Sequence, residues 1–262
     1  MDASLTFIGN ATTLLRLGSF TLLTDPNFLR RGQWAYLGWG LASRRLTDPA
    51  MGVGDVPRLD AVLLSHLHGD HWDRVARRGL DRSTSVVTTP HAARRLGRHG
   101  FRTTALQTWD DVTLTLGAEE LKVTAMPGVH ARGLLGVLLP PVMGSLLEHR
   151  TGDGDAFRVY ISGDTLTGDH LDEIAERYPV VDAAVVHLGG TKVLTRTVTM
   201  DADQGSNAVR RLSPRTTIPV HYDDYGRFRS PLSHFLDRAP NMPGEIRTVR
   251  RGETVPLATL AG

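Results

Sequence analysis

The segment SHLHGDHWD places four metal-binding side chains within six residues, namely His66, His68, Asp70 and His71. Imidazole and carboxylate are groups that Zn²⁺, Mn²⁺ and Fe²⁺ accept as ligands. The chain has no cysteine, so a metal site must be built from these two side-chain types, and thiolate nucleophiles and disulfides are excluded. A loop can direct neighbouring residues such as Asp70 and His71 towards different ions. The cluster therefore predicts a metal site.

Each candidate ligand follows an apolar segment of strand length. Residues 60–65, DAVLLS, form a continuous apolar run that leads directly into the cluster. Three later candidates, His130, Asp164 and His221, also stand at the ends of predicted strands. Because ligand sites lie beyond the carboxyl ends of strands in sheets of this kind, we expect these three side chains to converge on the cluster.

The rest of the chain alternates between strand and helix patterns. Hairpins are predicted around Gly18, Gly117 and the turn sequence TGDGD. The predicted strands are residues 5–8, 12–17, 20–24, 60–65, 85–89, 112–116, 120–125, 144–150, 157–162, 181–187 and 216–220, and the predicted helices are residues 72–79, 91–99, 169–177 and 201–212. With no linker between them, these elements predict one α/β domain over residues 1–262, in which two packed sheets carry helices outside.

The run His66-Leu67-His68-Gly69-Asp70-His71 matches the His-x-His-x-Asp-His motif of the metallo-β-lactamase fold superfamily. The resemblance continues in the opening GNATTLLRLGSFTLLTDPNF, in SGDT and in IPVHYD, and it implies a four-layer αββα sandwich. The phrases DAVLLSHLHGDHWD, YISGDT and IPVHYDDYGRF most resemble the branch that contains L-ascorbate-6-phosphate lactonases and N-acyl-phosphatidylethanolamine phospholipase D.

The resemblance also implies how two divalent ions are held. The first would take His66, His68 and His130, the second Asp70, His71 and His221, and Asp164 would bridge them. We expect Zn²⁺, with Mn²⁺ and Fe²⁺ as alternatives, because these side chains accept all three. Two such ions would activate water between them, and Asp70 would orient that water or carry its proton as the catalytic residue.

Two differences from other members of the superfamily limit the reactions that the resemblance implies. His68 stands where the oxygen-reducing di-iron flavoproteins that resemble this fold usually carry Glu, and the chain lacks their flavin domain, which favours hydrolysis over redox chemistry. The inserted domain of the RNA-processing members is also absent, which disfavours a nuclease.

Two residues outside the ligand set are candidates for a supporting or substrate-binding role. Asp25, in TDP, either satisfies turn amides before Pro26 or holds a metal-bound histidine, the role that the resemblance implies. His187 ends the strand VDAAVVH, where a structural role is the alternative. The remaining histidines are expected at the surface; they are His91, His99, His149, His170 and His234.

Two apolar segments, residues 31–46 and 131–144, are expected to overhang the metal site. They would form an apolar wall for a lipid-like or aromatic substrate, or pack on each other, or join copies of the chain in a homo-oligomer. In the first case Arg44 and Arg45 would contact a phosphate or carboxylate of the substrate.

Composition sets the remaining expectations. Lys+Arg 30 against Asp+Glu 28 leaves a formal charge of +2, and the arginines are scattered among acids, which disfavours nucleic acid as a partner. No apolar run is long enough for a transmembrane segment and no signal-peptide pattern is present, so we predict a cytoplasmic protein.

These observations favour a dinuclear, phosphodiesterase-like hydrolase acting on an apolar or lipid-like small molecule. A lactonase or esterase that acts on a small sugar phosphate is the alternative. A nuclease and a non-catalytic metal-binding protein are disfavoured, the second because the ligand set is complete.

Overall fold

The computed structural model describes residues 2–38, 40–133, 136, 138–152, 154–193 and 196–258. Its strands are β1 (Ala3–Gly9), β2 (Thr12–Leu17), β3 (Phe20–Thr24), β4 (Trp34–Gly38), β5 (Leu41–Arg44), β6 (Ala61–Leu64), β7 (Ser85–Thr88), β8 (Thr103–Ala105), β9 (Asp111–Leu116), β10 (Glu119–Pro127), β11 (Met143–Thr151), β12 (Phe157–Ile161), β13 (Ala183–His187), β14 (Lys192–Val193), β15 (Arg196–Thr197), β16 (Thr216–Val220), β17 (Glu245–Ile246) and β18 (Thr254–Pro256). Its helices are α1 (Arg74–Gly79), α2 (Pro90–Gly97), α3 (Asp169–Arg177), α4 (Ala202–Leu212) and α5 (Leu232–Leu236), with short 3₁₀ turns at Val53–Asp55 and Ala239–Asn241.

Two mixed sheets dominate the described chain. The first has the strand order β18-β1-β2-β3-β6-β7-β8, and the second has the order β17-β16-β13-β12-β11-β10-β9. In the first sheet β3, β6, β7 and β8 are parallel to one another. In the second sheet β12, β13, β16 and β17 are parallel, and β10 runs in the same direction because two antiparallel pairings separate it from β12.

The central core lies between the two sheets. Leu15, Phe20 and Leu63 from the first sheet belong to the same buried apolar cluster as Leu147 and Val185 from the second. Side chains on a strand point alternately to opposite faces, so each sheet presents one apolar face to this cluster and a second face to its helices.

Helices cover the outer faces. Ala76 of α1 and Leu96 of α2 pack with Val62 and Val86 on the outside of the first sheet. On the second sheet, α3, α4 and α5 contribute to a separate buried cluster, which contains Leu171, Ile174, Val209, Phe235, Ala184 and Val186. The four-layer αββα sandwich expected from the sequence is therefore confirmed.

Local sequence signals explain where the helices begin. The Asp73 carboxylate accepts hydrogen bonds from the backbone N–H groups of Val75 and Ala76, and the Thr89 hydroxyl caps α2 ahead of Pro90. The Asp201 carboxylate caps α4 in the same way. Within the described part of the chain, no helix has the length and apolar character needed to cross a membrane.

The structure differs from the expected elements in residues 31–46. They contain a β-hairpin, β4–β5, where the sequence indicated only an apolar loop. Trp39 lies outside the described residues. In the second apolar segment, residues 134, 135 and 137 also lie outside the described part. The short strands β8, β17 and β18 were not predicted, because strands of two or three residues carry too few positions for a hydrophobic period.

Glu119 joins the two sheets at the edge where β2 turns into β3. Its carboxylate accepts hydrogen bonds from the backbone N–H and hydroxyl of Ser19, and it lies 2.7 Å from Nε2 of His149. His149 is buried, so the expected surface position of this residue was wrong. Gly18 is required in the turn: its φ is +55°, and a Cβ there would lie 2.0 Å from a Glu119 oxygen.

This contact predicts an acid-sensitive contribution to stability. Hydrogen bonds from Ser19, together with His149, lower the pKa of Glu119 from 4.5 to about 2. A carboxyl whose pKa is lower in the folded chain stabilises it fully above the unfolded pKa, and that stabilisation disappears as the pH falls from about 4.5 towards 2. Urea unfolding of Glu119→Gln should therefore differ most from wild type at neutral pH and converge with it in this window. Glu120→Gln, at an exposed neighbour, is the control, and a pH-independent difference would contradict the prediction.

Candidate metal centre

The candidate ligands lie where strands of both sheets end at the same side of the sandwich. His66, His68, Asp70 and His71 follow β6, and Asp25 follows β3. From the second sheet, His130 follows β10, Asp164 follows β12, His187 ends β13 and His221 follows β16. Parallel strands bring their carboxyl ends together, which places segments far apart in sequence around one centre. The structure thus brings together every site residue that the sequence indicated.

One group of side chains that could hold a metal ion consists of His66, His68 and His130. Nε2 of His66 lies 2.9 Å from Nδ1 of His68, and Nε2 of His130 lies 3.3 Å from that same nitrogen. Three imidazole nitrogens about 2.1 Å from a tetrahedral ion stand about 3.4 Å apart, so the spacing fits one ion. Nδ1 of His130 donates to the carbonyl of Val198 at 3.0 Å, which leaves its Nε2 free of a proton.

A second group consists of Asp70, His71 and His221, and a third of His66, His71 and Asp164. Nε2 of His221 lies 3.4 Å from an Asp70 carboxylate oxygen, and Nε2 of His71 lies 3.4 Å from Asp164. His221 donates from Nδ1 to the carbonyl of Leu188 at 2.9 Å. Asp164 therefore lies between the histidines of the first two groups.

Several buried polar atoms in these groups have no hydrogen-bond partner among the described residues. At the centre they are Nε2 of His71 and of His221 and one carboxylate oxygen each of Asp70 and Asp164. A buried donor or acceptor without a partner costs about 1–3 kcal/mol, so four in one centre indicate that this centre binds a further group. Divalent ions accept both atom types, so the donor set fits metal.

Burial keeps the histidines of the first group neutral. It lowers the pKa of His68 to about 3, assisted by His130, and it lowers the pKa of His66 and of His130 as well. Neutral imidazole is the form that binds a metal.

The second group is more polar. Burial opposes a charge on His71, but Asp164, Asp25 and Asp70 outweigh it and raise its pKa well above the ordinary 6.5. His221 is also raised in pKa, by Asp164 and Asp70 against the effect of burial. Conversely, burial raises the pKa of Asp164, yet His221 and His71 hold it well below 3.8. The carboxylates are therefore ionised and need a cation beside them.

Asp25 contacts the centre through His71. One Asp25 oxygen lies 3.1 Å from Nδ1 of His71, and the carboxylate also accepts hydrogen bonds from the N–H and hydroxyl of Ser65. Burial raises the pKa of Asp25, but His71 and His187 lower it to about 2. His187 is fully buried, with Nε2 3.4 Å from Asp25 and Nδ1 3.2 Å from the Ser162 hydroxyl. It therefore lies behind His71.

The sequence did not single out Asn10, which holds two of the ligand loops. Its side-chain N–H₂ donates to the backbone carbonyl of Asp70 at 2.6 Å. Its backbone carbonyl accepts from the backbone N–H of His221 at 2.9 Å. Its backbone N–H donates to Asp224 at 2.6 Å. An Asn in the turn after β1, with φ at +57°, was the only signal available.

Backbone conformation at the centre is unusual in two places. His221 has φ at +63°, which costs a residue with a side chain free energy that the surrounding contacts must supply. Gly163 has φ at +60°, and a Cβ there would lie 2.9 Å from both Cβ of Ser65 and the carbonyl of Met143. Glycine at this position lets the end of β12 approach the first sheet.

Both apolar segments line one cleft of about 1170 Å³ that reaches His68. Trp34 and Tyr36 come from the β4–β5 hairpin, and Leu138, Leu139, Pro140 and Pro141 come from the second segment. Arg45 does not face this cleft: it is fully buried, 3.1 Å from Asp224, and its expected contact with substrate was wrong. Arg44 is exposed and donates to the carbonyl of Gly32.

Comparison with known proteins agrees with this geometry. Residues 21–222 match the family described as beta-lactamase superfamily domain. A UPF0173 metal-dependent hydrolase of Halobacterium salinarum is 27% identical, over 97% of this chain and 98% of that protein. One from Pelotomaculum thermopropionicum is 28% identical, over 96% and 99% respectively. The crystal structure of an isothiocyanate hydrolase from Delia radicum gut bacteria superposes with a TM-score of 0.81 at 22% identity, over 97% of this chain and 99% of that one.

The contact between Asp25 and His71 yields a prediction about metal affinity. Asp25→Asn keeps the shape but removes the charge that orients His71, and loss of such a partner lowers metal affinity about 10- to 100-fold. Competition with a chromophoric chelator measures this change. Asp182→Asn removes another buried carboxylate, one that contacts Arg215 instead, and should leave metal affinity unchanged. Equal affinities of Asp25→Asn and wild-type protein would contradict the role of Asp25.

Proposed function

The chain belongs to the beta-lactamase superfamily domain family and is a metal-dependent hydrolase of that superfamily; from this premise we propose that it holds two divalent ions and cleaves phosphodiesters of apolar, lipid-like molecules. The observation that carries the proposal is the convergence of seven His and Asp side chains, six of them buried and several with unpartnered atoms, and the position of His68 in the lining of a partly apolar cleft.

In this proposal the first ion binds His66, His68 and His130, and the second binds Asp70, His71 and His221. Asp164 bridges the two ions. Support comes from the ligand spacing in the first group and from the position of Asp164 between both groups. Zn²⁺ fits best, because closely spaced imidazole nitrogens suit a tetrahedral ion. Mn²⁺ and Fe²⁺ are the alternatives, because they bind the same side chains.

Two ions held in this way would lower the pKa of water and neutralise charge on the ester that is cleaved. Asp70 stays ionised, because His71 and His221 keep its pKa low despite burial, so its carboxylate can accept a hydrogen bond from water. One of its oxygens has no partner among the described residues and is available to orient water.

The substrate assignment depends on the cleft. An aliphatic and aromatic wall that leads to His68 favours an apolar leaving group or acyl chain. The alternative is a lactonase or esterase on a small sugar phosphate, of the kind found in the branch that the sequence resembles. The described residues that line the cleft include no serine, threonine, asparagine or glutamine that could bind sugar hydroxyls, which favours the apolar substrate. A homo-oligomer joined through the same segments and a cytoplasmic location remain predictions.

A substrate panel tests the bond that is cleaved. We expect the metal-loaded protein to hydrolyse bis(p-nitrophenyl) phosphate and to show little activity on lactones and p-nitrophenyl acetate. Benzyl isothiocyanate belongs in the panel because one structural neighbour is named as a hydrolase of isothiocyanates. Turnover of lactones alone would establish the alternative, and turnover of the isothiocyanate alone would remove both ester assignments.

Metal analysis tests the centre itself. Wild-type protein should bind about two ions per chain, and Asp70→Ala and His221→Ala should lose the second ion and reduce hydrolysis by at least about 100-fold. His234→Ala changes an exposed histidine on α5 and is the control. Hydrolysis that survives the loss of the ions would rule out the mechanism, and bound ions without turnover of any substrate would favour the non-catalytic alternative.

A further inference from the structure

We propose that the cleft beside His68 selects an amphipathic anion: a small molecule whose apolar part lies on the β4–β5 side and whose carboxylate, sulfate or phosphate contacts an arginine wall formed by Arg74, Arg77, Arg95 and Arg98. This inference rests on the proposed function for the position of the reacting group, and it adds that the substrate carries a second, anionic feature which the metal centre does not bind.

The arginine wall is built by two helices. Arg74 and Arg77 belong to α1, Arg95 belongs to α2, and Arg98 follows its last residue. Scattered in sequence, they line one cleft in space, so the expectation of a dispersed basic surface does not hold there. All four are exposed, and like charges along one cleft create a positive potential there that favours an anion.

No acidic side chain in the described chain forms an ion pair with any of these four arginines. The guanidinium of Arg74 donates to the backbone carbonyl of Trp34, and the guanidinium of Arg77 has no hydrogen-bond partner among the residues described. The one carboxylate that lines the cleft is Asp73, which already accepts hydrogen bonds from the N–H groups of Phe28 and Leu29 and caps α1. The wall therefore offers charge that the protein itself does not neutralise.

Another part of the cleft lining is apolar and exposed. Trp34, Tyr36 and Leu138 are 60%, 62% and 42% exposed, values that are unusual for large apolar side chains. Leu139, Pro140 and Pro141 continue this surface. An apolar chain or ring laid against it would remove these side chains from water and leave a terminal anion facing the arginines.

Trp72 forms part of the base of the cleft. It is 7% exposed and belongs to the buried apolar cluster outside the first sheet, where its ring meets Phe101 edge-on with centroids 5.1 Å apart. The residue before Asp73 therefore anchors the cleft lining to the core.

The dimensions favour a small molecule over a polymer. A cleft of about 1170 Å³ is close to the size of small-molecule sites. Charge complementarity then selects an anion among the small apolar molecules that fit.

The test compares octyl sulfate with 1-octanol, which has the same chain without the charge, using tryptophan fluorescence and calorimetry on the metal-loaded protein. Sulfate monoesters are weak metal ligands, so the affinity for octyl sulfate measures contact with the arginine wall and not with the metal centre. We expect wild-type protein to bind octyl sulfate more tightly than octanol, and Arg77→Gln/Arg95→Gln to weaken octyl sulfate binding about 3- to 30-fold without changing octanol binding. Arg78→Gln/Arg94→Gln removes two arginines from the same helices that do not line the cleft, and should bind like wild type.

Equal binding of octyl sulfate by both double variants would overturn the proposal. Arginine-dependent binding of an oligothymidylate or of anionic phosphatidylglycerol vesicles, without binding of octyl sulfate, would also overturn it, in favour of nucleic acid or a membrane surface. Arginine-dependent octyl sulfate binding supports the anion site even if the protein fails to cleave bis(p-nitrophenyl) phosphate, so the two proposals fail separately.

Discussion

The structure depends on the burial of three carboxylates, Asp25, Asp70 and Asp164, at the junction of the two sheets. Ionised carboxylates are costly to bury unless cations or hydrogen bonds accompany them. His71 contacts Asp25 on one side and Asp164 on the other, and His221 contacts Asp70 and Asp164. Protonated imidazole compensates this charge in part, and divalent ions that displace those protons would compensate it more completely, so metal binding and proton release are coupled.

This charge cluster requires the two sheets to lie close together at the end of the sandwich where their strands carry these residues. Asp25, Asp70 and His71 come from the first sheet, whereas Asp164 and His221 come from the second. The apolar core between the sheets sets the distance between these two groups of side chains. Asn10 and Gly163 allow the loops that carry these side chains to approach one another. A large-to-small substitution in that core would therefore change the distances between the candidate ligands and also lower the free energy of unfolding.

The strand-end positions of the candidate ligands could be predicted because each obeys a local rule: an apolar strand followed by a histidine or an aspartate. The strands β2, β3 and β16 and the helix α3 have the predicted bounds for the same reason, since hydrophobic period and turn residues are local signals. Asn10 could not be predicted, because its partners Asp70 and Asp224 are 60 and 214 positions away. The arginine wall escaped prediction for the same reason, since the helices α1 and α2 acquire a common cleft only in the folded chain.

The β4–β5 hairpin contacts the loop that carries the candidate metal ligands His68 and Asp70. The N–H of Gly69, within the ligand loop, donates to the carbonyl of Tyr36 at 2.9 Å. A Cβ on Gly69 would lie 2.5 Å from that oxygen and 2.8 Å from the Tyr36 nitrogen, so only glycine allows this approach. The glycine of the histidine motif thus has a physical reason that the motif alone does not reveal. Because the ligand loop and the apolar side of the cleft share a backbone contact, a molecule seated against Tyr36 bears directly on the loop that carries His68 and Asp70.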